Sequence, residues 1–138
     1  MFDLSELTIN PTIVCNLIQR AKEFHAKEAV SIPEISPNTE YEYDWAQVLA
    51  DHYDDLTYLE INNAIVSLRY DQQVDLLALM YLGREDFVDL ENAREAAINN
   101  LPSNLTDYLL GHPFLSDYLE KGLAMFGQSC EEGFSQFE

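Results

Sequence analysis

The residues whose types and spacing best suit chemistry stand together as Asp51-His52-Tyr53-Asp54-Asp55. On a helix, Asp51 and Asp55 share a face at i and i+4, and His52 adjoins Asp55 at i+3, so two carboxylates and an imidazole converge where a divalent cation could sit. Asp51, His52 and Asp55 are therefore the candidate metal ligands, with His25 or His112 as further donors if folding brings one near. The plainer reading is a solvated acidic helix face. A di-iron bundle needs paired Glu-x-x-His motifs, and none of the three histidines has a Glu three residues before it.

Nucleophilic and phosphate-binding chemistry find less support. Cys130 follows Gly127-Gln128-Ser129 at a helix C-terminus and precedes Glu131 and Glu132, surroundings that raise a thiol pKa rather than activate it. Cys15, between Val14 and Leu17, reads as a small buried side chain. The two could pair. The start Met1-Phe2-Asp3-Leu4-Ser5-Glu6, however, lacks the basic opening and apolar run of a secretory signal, so the expectation is a cytoplasmic protein with free thiols. The five glycines, at 83, 111, 122, 127 and 133, stand singly, without GxGxxG or Walker spacing. A nucleophile elbow, a CxxC pair and an HExxH helix are likewise absent. No catalytic residue is assigned, and no cofactor beyond the divalent cation.

Charge constrains the partners. The chain carries 25 Asp and Glu against 7 Lys and Arg, a formal −18, and nine of the carboxylates fall between Glu28 and Leu68 without one basic residue among them. Such a surface repels phosphate backbones and anionic headgroups, which disfavours direct nucleic-acid and membrane binding and favours a basic or amphipathic protein partner. Asp44, Asp51, Asp54 and Asp55 on the acidic side, with Phe134 and Phe137 in the acidic tail, are the candidate partner-binding residues. The same carboxylates could imitate a phosphate array and block a basic protein's nucleic-acid groove; solubility is the plainer account. Arg84 and Arg94 read as internal partners for carboxylates rather than substrate-binding groups. The leading expectation is a non-enzymatic interaction module. A metal-binding protein or metal-dependent enzyme is the alternative, and an acidic nucleic-acid mimic the third.

Helices must position these residues. Ile13, Val14, Leu17, Ile18, Ala21 and Phe24 recur at three- and four-residue spacing over Pro11–Lys27, with Asn10 as N-cap. Pro33 and Pro37 mark a loop, after which Trp45, Val48, Leu49 and His52 share one side of a helix that meets another near Asp54 and Asp55. That next helix should bury Leu56, Leu59, Ala64, Ile65 and Leu68 and end around Arg69. Asp71 should cap a central helix over 72–82, ended by a left-handed Gly83. Phe87, Leu90, Ala93, Arg94, Ala97 and Ile98 mark another. Ser103 or Asn104 caps a short helix closing at Gly111, and His112-Pro113 opens a last one closing at Gly127. Gly122, inside that helix, suits a close helix approach.

A chain of 138 residues with 47% hydrophobic and 12% aromatic content is too apolar for a disordered acidic polymer, so the acid lies on a folded domain. The longest apolar run, Leu76 to Leu82, falls well short of the roughly 20 residues of a membrane span. The expectation is an all-α fold, a compact bundle of six or seven helices around the central apolar helix near 72–82. It forms one domain over 1–132, followed by a short acidic aromatic tail at 133–138. Oligomeric state is left open. The segments DQQVDLLALMYLGRED and YLLGHPFLSDYLEKGLAMFGQSCEE, with AKEFHAKEAV at the end of the first helix, resemble an uncharacterised bacterial family, domain of unknown function 3775. Leu-Gly-Arg and Ser-Cys-Glu-Glu are the most specific pieces, and the resemblance spans Leu7 to Glu132. It implies a small helical bacterial protein and brings no activity, ligand or catalytic residue.

Overall fold

Apolar spacing of three and four residues becomes helix throughout the computed structural model, which describes residues 2–27 and 55–130. A 3-10 turn at Leu4–Glu6 leads into α1 (Pro11–Lys27), where Asn10 Oδ1 accepts the Thr12 N–H at 2.7 Å. Pro11 has no N–H to satisfy there. α2 (Leu56–Val66) is capped by Asp55 and ends at Ser67, short of the expected Arg69. Arg69 instead precedes α3 (Tyr70–Gly83), and its N–H donates to Gln72 Oε1 at 2.9 Å. Asp71 is thus not the cap but a first-turn residue, where its charge still complements the helix dipole. α4 spans Leu90–Asn100 and is capped by Asp89. Phe87, expected inside that helix, lies before it with its ring 5.7 Å from Tyr81. Asn104 caps α5 (Leu105–Leu110), and α6 covers Leu115–Ala124.

The central helix is α3, as its composition predicts. Every residue from Val74 to Gly83 is buried, and α3 packs against both α4 and α6. α1 covers α6 and α2, and α2 meets α5. Leu76, Leu77, Leu79 and Leu82 are fully enclosed, each contributing roughly 1.5–3 kcal/mol of transfer free energy. All described elements are helical, which gives the all-α bundle expected.

Gly83 works differently from its expectation. The left-handed residue after α3 is Glu85, at φ 70°, while Gly83 is helical and is needed as glycine because a Cβ there would lie 1.7 Å from the Tyr118 carbonyl oxygen of α6. The reciprocal contact is Gly122 of α6, whose Cβ would stand 2.5 Å from Leu79 O, as the close-approach reading of that glycine anticipates. Gly111 is also ordinary, at φ −68°; Gly127, at φ 75°, is the left-handed stop its position suggests.

Two further expectations are corrected. α2 buries Thr57, Tyr58, Ile61 and Ile65, whereas Leu56 and Leu59 point outward, because Tyr58, Ile61 and Ile65 form the stripe that α1 and α5 cover. The cysteines are not free: Cys15 and Cys130 are joined, with their Cα atoms 5.4 Å apart, because α1 and the chain leaving α6 pack at the same end of the bundle. Among the described residues no helix is long and apolar enough to cross a membrane.

Candidate functional site

Of the acidic-cluster and tail residues that sequence assigned to metal or partner binding, Asp55 falls among the described residues. Its carboxylate accepts the Thr57 and Tyr58 N–H groups at 2.8 and 3.1 Å and faces Lys27 Nζ at 3.1 Å, so it works as a helix cap and an α1–α2 tie. Asp44, Asp51, His52, Asp54, Phe134 and Phe137 lie outside the described residues. Among the described residues no group of three or more His, Cys, Asp or Glu could hold a metal ion.

His25 and His112 are both held by carbonyls of α5. His25 Nε2–H donates to Leu110 O at 2.9 Å, and His112 Nδ1–H donates to Tyr108 O at 2.7 Å. A carbonyl only accepts, so these bonds fix the tautomer of each ring. Burial pushes His112 down to about 4, with the Arg84 charge adding to it, and burial lowers His25 as well. Both rings are neutral at physiological pH. Beside them Arg84 Nε bonds Asp86 at 2.8 Å, and its guanidinium stands 5.9 Å from the Tyr118 ring centre. Burial raises the Tyr81 and Tyr108 hydroxyls above their ordinary range. The Arg84 expectation holds: its guanidinium is largely enclosed and serves an internal carboxylate.

Arg94 behaves likewise. It forks onto Asp75, Nε to Oδ1 at 2.7 Å and Nη2 to Oδ2 at 2.9 Å, and also donates to Glu6 O. Thr8 adds its N–H and hydroxyl to Asp75 Oδ2, both at 2.8 Å. Burial alone would raise the Asp75 pKa, but the Arg94 and Thr8 bonds outweigh it and hold it below the ordinary carboxylate range. Asp107, fully buried, takes the Tyr58 hydroxyl at 2.7 Å and Asn104 Nδ2 at 3.0 Å. These groups tie segments together.

The outward face of α2 is what sequence reasoning missed. Leu56 is 74%, Leu59 41% and Val66 61% exposed, and Tyr70, at the start of α3, 59%. Leu56, Leu59 and Val66 fall at i, i+3 and i+10, one side of the helix, opposite Tyr58, Ile61 and Ile65. Glu60 lies on the same turn and pairs with Arg20 at 3.3 Å. The signal was present: α2 has more apolar residues than one stripe needs, and two three- and four-residue series run through it.

A family model described as "Protein of unknown function (DUF3775)" matches residues 58–128, just over half of the chain. The match takes in α3, α4, α5 and α6 and most of α2; α1 and Cys130 lie outside it. No curated protein matches the chain, and no solved structure does.

Proposed function

We propose that this chain, which belongs to the DUF3775 family, acts as a cytoplasmic, non-enzymatic interaction module that receives a basic amphipathic helix of a partner protein. The observation that supports this is the exposed row of Leu56, Leu59 and Val66 on α2, with Tyr70 exposed at the start of α3, on a chain of formal charge −18. An apolar strip on so acidic a chain suits a helix with an apolar face and lysine- or arginine-rich flanks. The apolar contacts hold it, and charge steers the encounter. Asp44, Asp51 and Asp54 supply the acidic side in this reading, Asp55 being taken up by its cap and by Lys27, and Phe134 and Phe137 supply a second apolar anchor.

The test is titration of a fluorescent Leu/Lys amphipathic peptide into the protein at low and high ionic strength, alongside a Leu59→Gln/Val66→Gln variant. Saturable binding that weakens with salt and is lost in the variant supports the proposal. No saturation at low salt, or equal binding by the variant, rejects it.

A further inference from the structure

The Cys15–Cys130 bridge joins positions 115 residues apart, and the chain leaving α6 meets a second distant segment as well. Phe2 N–H donates to Met125 O at 2.7 Å, and the Phe2 ring stands edge-on to Phe126 at 5.2 Å between centres. The N-terminal segment and α1 are thus each joined to the chain leaving α6. A formal charge of −18 works against this closure, since unbalanced carboxylates repel one another in the compact state.

The two sulfurs differ in their settings. Cys15 is 8% exposed and fixed within α1, packed into the apolar core. Cys130 is half-buried, beyond the left-handed Gly127, in a segment without helix. It can recede without breaking a helical turn, and it is the sulfur a solvent-borne thiolate reaches first. We infer that Cys15–Cys130 is a reversible thiol–disulfide exchange site, opened by a dithiol reductant attacking Cys130, and not a permanent staple.

The chemistry balances with the dithiol as reductant. Its thiolate bonds to Cys130 Sγ, the S–S bond breaks, and the electron pair passes to Cys15 Sγ, which takes a proton from water. The second thiolate of the dithiol then displaces Cys130 as a thiol, and the reductant leaves as its own disulfide, oxidised by two electrons while the protein pair is reduced by two. Opening leaves the Met125–Cys130 segment held by Phe126 packing and by Phe2. Removing so long a cross-link lowers the melting temperature by on the order of 10 °C.

The test counts thiols on the full chain by intact mass after alkylation with N-ethylmaleimide. Protein oxidised with glutathione disulfide should take up none. After native incubation with dithiothreitol both cysteines should be alkylated, and reoxidation should restore the unreactive form and the higher melting temperature. A short pulse of glutathione should leave its mixed disulfide on the peptide carrying Cys130. A Cys15→Ser/Cys130→Ser variant should melt with the reduced protein and ignore reductant; if it does not fold, the wild-type mass readout decides alone. Two outcomes overturn the inference: alkylation of both cysteines in the oxidised protein, or a bridge that dithiothreitol opens only in denaturant.

Discussion

Gly83 of α3 and Tyr118 of α6 meet backbone to backbone, so closely that a methyl group on the glycine would fall 1.7 Å from the tyrosine carbonyl oxygen. Four residues away on each helix, Gly122 and Leu79 repeat the contact in the opposite sense, at 2.5 Å. Alanine normally stabilises a helix by about 1 kcal/mol over glycine. Here the sign reverses: Gly122→Ala should cost about 1–3 kcal/mol and Gly83→Ala more, because backbone cannot step aside. Urea denaturation should show a lower midpoint at unchanged slope.

Protonation of His112 opposes folding. Its folded value of about 4 lies below the ordinary 6.5, so as pH falls from 6.5 to 4 the unfolded chain takes up the proton first and stability drops. The loss approaches about 1.4 kcal/mol per pH unit, about 3 kcal/mol over that window, and burial of His25 adds in the same direction. Denaturation midpoints of the wild type and His112→Gln across this range isolate the effect; parallel profiles would refute it.

Arg94→Met leaves the Asp75 carboxylate, 1% exposed, without its counter-charge. Since the guanidinium is itself about one-third exposed, the expected cost is about 2–3 kcal/mol rather than that of a fully enclosed pair. Adding Asp75→Asn should recover part of it. Thermal unfolding of the two single variants and the double variant gives the coupling directly.

The two faces of α2 should respond oppositely to truncation. Ile61→Ala, in the core, should lose about 2–5 kcal/mol, whereas Leu59→Gln and Val66→Gln should stay within about 0.5 kcal/mol of wild type. A large loss from either surface change would place those side chains inside.

Glu85 carries a left-handed backbone at φ 70° without being glycine. Glu85→Gly should therefore raise stability by about 1 kcal/mol, read as a higher melting temperature. A lower one would mean that the side chain, not the backbone, governs this turn.

Where one apolar stripe and its capping residues agreed, the sequence was sufficient: Asn10 and Pro11 open α1, the Ser103-Asn104 pair marks the start of α5, with Asn104 the cap, and the all-apolar run in α3 becomes the centre. It misled where a residue had two compatible roles. A glycine after Leu82 suits a left-handed stop and a backbone contact equally well, and only the position of α6 decides between them. Leu59 and Ile61 are alike as letters, and which is covered depends on where α1 and α5 lie. The Arg84 and Arg94 pairings could be anticipated from charge imbalance, although Asp86 and Asp75 as partners could not. Nothing local joins Cys15 to Cys130, since pairing across the whole chain follows from helix packing alone.

The covalent ring has a topological consequence. Positions 15 and 130 enclose nearly the entire polypeptide, so a protease that severs one peptide bond anywhere between them yields fragments still tethered as a single particle. On a denaturing gel those fragments would migrate together until mercaptoethanol parts them.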